Sequence, residues 1–237
     1  MARLGVNIEK AALLRAGSKN PDPDPVSIAV LAEIGGADGI VCRLRKDMKL
    51  IKERDVKMLK EIVKTHLNIQ IAPEEELLSL ALSIQPDMIT LVPEKSAGST
   101  EGGGFDVLGR TSFFEKIISE IRNHGIVVNI AVDPVFQQVK AAARAGTDYV
   151  ELQMARYSGA EDLVECSDQI EAVKSAAMGA AKLGVGVSAS GGLNYQNISE
   201  IAQIENVEEI NIGHAILSRA MFIGIEAAVR DMVALVH

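Results

Sequence analysis

Ser188-Ala189-Ser190-Gly191-Gly192-Leu193 and Asn211-Ile212-Gly213-His214-Ala215 are the two stretches on which the reading of this chain turns. Each closes a short strand-like run with glycine and leads into a segment of helical periodicity. Glycine lets the backbone approach a bound group closely, and the unpaired N–H groups at the start of a helix favour an anion. Two such turns follow one another near the C-terminus.

Working back from them, β-branched runs recur at 4–8, 39–44, 67–72, 88–92, 127–132, 149–153, 185–189 and 209–212. Helical patterns alternate with them at 25–34, 54–65, 74–84, 112–123, 134–145, 160–183, 195–204 and 215–236. Strict alternation implies parallel strands joined by crossovers. Eight strands close a parallel barrel, and barrel phosphate sites are built from the last two strand-to-helix turns. An open doubly wound sheet is the competing arrangement, but no G-x-G-x-x-G follows the first strand. The expected fold is therefore an α/β (β/α)8 TIM barrel with extra helices, a single domain over 1–237.

Local signals agree. Asp24-Pro25 and Asp133-Pro134 read as N-caps followed by a first helical proline. Gly35, Gly125, Gly146 and Gly184 follow helices, where a positive φ suits glycine. The segment 160–183 is long for this architecture and predicts a break or extra turn within it. Gly36-Ala37-Asp38, Gln85-Pro86-Asp87 and Gly146-Thr147-Asp148 form a weak repeat, and their aspartates read as turn and capping residues. The glycine-rich stretch 96–104 reads as a mobile loop or lid over the catalytic face.

Composition narrows the function. The chain has 237 residues, is 48% hydrophobic and carries a formal charge of −8, which argues against disorder and sequence-independent nucleic-acid binding. With 3% aromatics and no Trp, the core must be built from Val, Ile, Leu, Ala and Met. No window suits a membrane span, and the N-terminal MARLGVNIEK lacks the apolar run of a signal peptide. Cys42 and Cys166 have no metal-ligand spacing, so neither a disulfide framework nor a metal site is expected, and the cytoplasm is the expected compartment.

The strand ends are unusually polar. They carry Asn7, Glu9, Lys10, Arg43, Arg45, Gln70, Asn129, Asp133, Glu151, Gln153, Ser188, Ser190, Asn211 and His214. Burying these groups without partners is costly, which points to a solvated polar pocket. Arg43 and Arg45 share one strand face and suit a bidentate phosphate or carboxylate; an internal Arg45–Glu151 pair is the alternative. Gly191, Gly192, Gly213 and His214 form the anion cradle. Of the other histidines, His66 and His124 read as structural and His237 is terminal.

Several motifs together resemble the pyridoxine 5′-phosphate synthase family. They are Gly5-Val6-Asn7-Ile8, Pro23-Asp24-Pro25, Gly36-Ala37-Asp38-Gly39-Ile40, Leu44-Arg45, Leu91-Val92-Pro93-Glu94-Lys95, Thr100-Glu101-Gly102-Gly103 and Leu183-Gly184. Glu151, Gly192-Leu193 with Tyr195 and Asn197, and Asn211-Ile212-Gly213-His214-Ala215-Ile216 with Arg219 complete the set, in collinear order over essentially the whole chain. The resemblance implies a (β/α)8 barrel with added helices that assembles as a homo-octamer. It also implies condensation of 1-deoxy-D-xylulose 5-phosphate with 3-amino-2-oxopropyl phosphate, without metal or organic cofactor. By position, Asn7, Arg45, Thr100, Glu151, Gly192, Gly213 and His214 correspond to family substrate- or phosphate-binding residues.

The chain departs from the family pattern at the proton-handling positions. Asn-x-Asp-His is Asn7-Ile8-Glu9-Lys10, a loop arginine is Ser18 beside Lys19, and His-Leu-Arg is Arg43-Leu44-Arg45. A strand-three glutamate is Gln70, and Gly-His-Gly is Ser190-Gly191-Gly192. Two readings follow. In one, the chain is a divergent synthase or a relative acting on another phosphorylated ketone or amine. Glu151 is then the first acid–base candidate and Lys10 the second, since a buried lysine beside Arg43 is suited to carbonyl attack. In the other, it is a non-catalytic or re-purposed barrel binding phosphorylated metabolites.

Overall fold

The computed structural model describes residues 1–17, 20–94 and 103–237. The strands are β1 Arg3–Asn7, β2 Gly39–Arg43, β3 Leu67–Ile71, β4 Met88–Leu91, β5 Val127–Val132, β6 Tyr149–Gln153, β7 Gly186–Ser190 and β8 Glu209–Ile212. They form a closed barrel in sequence order, with every neighbouring pair parallel and β1 pairing with β8. The helices are α1 Glu9–Ala16, α2 Pro25–Ile34, α3 Glu53–Ile62, α4 Glu75–Ile84, α5 Thr111–Asn123 and α6 Phe136–Arg144. They continue as α7 Ala155–Ser158, α8 Leu163–Lys182, α9 Ile198–Ala202, α10 His214–Ile223 and α11 Ile225–Val236. The (β/α)8 barrel with extra helices is thus present, and α1, α7 and the divided last helix are among the additions.

Alternation along the strands separates two environments. Leu4, Val6, Ile40, Cys42, Ile69, Ile89, Ile130, Val150, Leu152, Val187, Ala189 and Ile210 are fully or almost fully buried in the apolar core. Apart from Val41, the residues between them are mostly small or polar, and several bond to one another: Thr90 Oγ1 donates to Asn68 Oδ1 at 2.8 Å and Asn129 Nδ2 to Ser188 Oγ at 2.9 Å. Barrel interiors are usually filled by branched aliphatic side chains; this one is polar from its middle to its mouth.

At the opposite end the aspartate repeat does what its position suggests. Asp38, Asp87 and Asp148 stand just before β2, β4 and β6, and accept from Leu4 N, Leu67 N and Val128 N at 2.8, 2.8 and 2.9 Å. Each ties an even-numbered strand to the odd-numbered strand before it.

Some local expectations are corrected. Asp24 caps α2 through Val26 N with Pro25 at the first helical position, but Asp133 caps no helix. Its carboxylate accepts from Gly104 N at 2.8 Å, while α6 starts at Phe136 after Val135. Gly125, Gly146 and Gly184 have positive φ, whereas Gly35 has φ −70° and Gly36 takes the left-handed turn. Gly35 is a close-approach glycine: a Cβ there would lie 2.8 Å from Glu226 O. The break expected within 160–183 is absent, since α8 runs unbroken over Leu163–Lys182 and the extra turn is α7, just before it. The final segment, read as one helix, is divided at Gly224, whose φ is 82°.

Candidate functional site

A cavity of about 250 Å³ opens at the C-terminal ends of the strands. Asn7, Glu9, Lys10, Arg43, Arg45, Gln70, Glu151, Ser190, Gly191, Gly192, Gly213 and His214 all line it. The structure thus brings every proposed site residue together except Thr100, which lies outside the described residues, as do Ser18 and Lys19. The stretch read as a lid also falls mostly outside them. Its described end, Gly103 and Gly104, passes close to Val132 and Asp133.

The β1–β2 side is cationic. Glu9 and Lys10, read as residues at the end of the first strand, occupy the first turn of α1. Asn7 Oδ1 accepts from Glu9 N at 3.0 Å and so satisfies an amide at the start of that helix. Arg45 pairs with Glu9, Nε to Oε1 at 2.6 Å, and not with Glu151. The i, i+2 spacing was right about a shared face, but α1 supplies a nearer carboxylate. Arg43 Nη2 donates to Pro93 O at 2.5 Å, while its buried Nε has no hydrogen-bond partner. Burial, then the Arg45 charge, lowers the pKa of Arg43. Among the described residues no carboxylate lies within ion-pair distance of Arg43 or Lys10. Lys10 is half-buried, not enclosed as the sequence suggested. Gln70 Oε1 stands 3.5 Å from Asn7 Nδ2.

The β6–β8 side holds the more deeply buried of the carboxylates that line the mouth, the other buried one, Glu9, being paired with Arg45. Glu151 is 1% exposed. It accepts from Gln153 Nε2 at 3.0 Å on Oε1 and from Asn211 Nδ2 at 3.2 Å on Oε2. Burial pushes its pKa above the usual carboxylate range; Ser190, Asn211 and Gln153 oppose the shift and Glu209 adds to it. A carboxyl raised in this way is suited to hold and release a proton nearer neutrality.

Beside it are the glycine turns. Gly191 and Gly192 have φ of 107° and 76°, and a Cβ on Gly192 would lie 2.0 Å from Ser158 Oγ. Gly213 leads directly into α10, whose first residue is His214, and a Cβ on Gly213 would lie 2.8 Å from Asn7 O. Side chains are excluded from both turns, so the backbone itself faces the cavity. The supports of the Gly191–Gly192 turn are not in the predicted site set. Ser158 Oγ donates to Gly191 O at 3.2 Å, Asn197 Nδ2 to Gly192 O at 3.3 Å, and Tyr157 Oη to Asn197 O at 2.7 Å. Asn197 was visible in the motif, but Ser158 and Tyr157 act through α7, which lies before the helical segment read at 160–183 and was not read as a helix.

A family model described as "Pyridoxal phosphate biosynthesis protein PdxJ" matches residues 4–237. The chain belongs to the PdxJ family. Among its relatives, pyridoxine 5′-phosphate synthase of Geobacter metallireducens is 44% identical over 236 residues, covering 100% of this chain and 99% of the relative. The protein of that name from Microcystis aeruginosa is 43% identical over 232 residues, covering 98% and 97%. Solved structures share the fold at low identity. KGPDC from Streptococcus mutans has TM-score 0.66 at 11% identity, covering 100% of this chain and 97% of that one. Thiamine phosphate pyrophosphorylase from Pyrococcus furiosus has TM-score 0.61 at 16% identity, covering 99% and 95%. Arg43, Gln70 and Gly191, the positions at which the resemblance implies His, Glu and His, all stand at the mouth of this PdxJ-family chain.

Proposed function

We propose that this chain acts in vitamin B6 biosynthesis as a pyridoxine 5′-phosphate synthase, condensing 1-deoxy-D-xylulose 5-phosphate with 3-amino-2-oxopropyl phosphate in the cytoplasm. The observation that carries the reading is the family match over nearly the whole chain, onto a cavity that places an anion cradle beside a buried carboxylate. The Gly191–Gly192 and Gly213–His214 turns hold one phosphoryl group through backbone N–H groups and the α10 dipole. Lys10 and Arg43 offer cationic partners to the other, with Arg45 held beside them by Glu9. Glu151 is the acid–base group, because Arg43 stays protonated and Gln70 and Gly191 do not titrate. Assembly as a homo-octamer belongs to the same reading.

The test is direct. Purified protein is incubated with both substrates and product is followed by absorbance and mass. Formation of pyridoxine 5′-phosphate, with loss of about 10²- to 10⁴-fold in rate for Glu151→Gln, is expected. Tight phosphate binding without turnover would instead identify a re-purposed phosphate-metabolite binder.

A further inference from the structure

Gly5 and Asn211 are paired residues on β1 and β8. A Cβ on Gly5 would lie 1.9 Å from Asn211 Oδ1, so a side chain at position 5 cannot coexist with the Asn211 amide where it stands. That amide is 5% exposed. Its Nδ2 donates to Glu151 Oε2 at 3.2 Å, across the barrel interior from two strands away, and its buried Oδ1 has no donor. An ionised carboxylate only accepts hydrogen bonds, so the amide presents nitrogen to it. The carboxylate has two other donors: Gln153 bonds Oε1 at 3.0 Å from two residues along the same strand and moves with it, and the Ser190 hydroxyl acts from the adjacent strand β7, whereas Asn211 reaches it from β8.

We infer that Asn211 is a positioning residue that fixes the Glu151 carboxylate relative to the anion cradle, and that Gly5 supplies the space in which it does so. Asn211 stands on β8 two residues before Gly213, the turn residue that follows this strand. One side chain therefore ties the proton-handling group to the turn that holds the phosphoryl group. Orientation of this kind controls rate steeply, since misplacement by about 1 Å can cost roughly 10²-fold. Deletion of the donor removes the Asn211 hydrogen bond to Oε2 and strengthens the influence of burial on Glu151. The charged groups bearing on this carboxylate are Glu209 on β8 and Arg43 on β2, with Lys10 and His214 lining the same cavity.

The inference rests on Glu151 as the acid–base group, and its test has a readout independent of turnover. Carboxyl ¹³C resonances of glutamate-labelled protein are titrated, with the Glu151 signal assigned by its loss in Glu151→Gln. In Asn211→Ala and in Asn211→Leu, which keeps bulk without a donor, the Glu151 midpoint rises by roughly one pH unit, the scale of one hydrogen bond to a charged group. The rate profile follows, with kcat reduced about 10-fold or more and KM little changed. Gly5→Ala produces the same shift in the wild-type background and none in Asn211→Ala, because the colliding amide is gone. An unmoved Glu151 midpoint in both Asn211 variants overturns the inference, as does a Gly5→Ala shift that persists in the double variant. If Gly5→Ala does not fold, the two Asn211 variants decide. A shifted midpoint with full turnover by Glu151→Gln would support the positioning and refute the acid–base reading, so the two failures are told apart.

Discussion

Glu151 shows how a single residue's environment sets its chemistry. It lies between an apolar outer layer and a polar interior, and burial raises its pKa against the pull of its donors. The consequence for stability has a definite sign. Above the ordinary glutamate value the native state holds this proton more tightly than the unfolded state. Stability from this group is therefore fully present at low pH and falls as pH rises through the native pKa. Urea denaturation between pH 4.5 and the native midpoint should show Glu151→Gln with a flatter decline than wild type, pH 4.5 being about the ordinary glutamate value. An equal slope in both proteins would count against the raised pKa. Asn211 and Ser190 were visible as polar residues at strand ends. Which of them touches Glu151 was not, because period-2 alternation assigns a face and not a partner across the barrel.

At the scale of elements, two kinds of connection hold the scaffold. The aspartate repeat closes the base, and Asp87→Ala leaves Leu67 N without its 2.8 Å acceptor. A loss of about 1–3 kcal/mol is expected from the shift of the urea midpoint, with phosphate binding at the far end of the barrel unaffected. The second connection joins α1 to α3. Arg15 makes a bidentate pair with Asp55 at 3.1 and 2.6 Å and also bonds Leu50 O at 2.6 Å. Burial works against ionised Asp55, yet Arg15 and the Lys52 amide hold its pKa below the usual range. That stability is present above the unfolded pKa and is lost as pH falls through the native value. Asp55→Ala strands a buried guanidinium and should cost about 3–5 kcal/mol in equilibrium unfolding, whereas joint replacement of both partners by apolar residues should cost less. The repeat was legible because Asp before a strand has a local geometric role. The Arg15–Asp55 pair joins residues forty positions apart, and no local pattern announces it.

For the whole molecule, glycines of the same backbone class differ in what surrounds them. Gly192 and Gly125 have φ of 76° and 75°. A Cβ on Gly125 meets nothing within 4 Å, whereas on Gly192 it strikes Ser158 Oγ. Gly125→Ala should cost about 1–2 kcal/mol through backbone strain alone and leave inorganic phosphate binding unchanged. Gly192→Ala should carry that strain and also weaken phosphate binding at least about 10-fold in calorimetric titration, since the turn must move. Equal phosphate affinities would remove the cradle from the site. Eight alternating units, the polar strand ends and the two glycine turns were determined by the sequence alone, because hydrophobic period and glycine placement are local constraints that survive any packing. Only the tertiary structure decided that Arg45 pairs with Glu9, that α7 braces the cradle through Ser158, and that Gly5 makes room for Asn211. Those outcomes depend on barrel closure, which sets residues far apart in the chain within a few ångströms, and on which neighbour has the volume and charge to occupy the shared space.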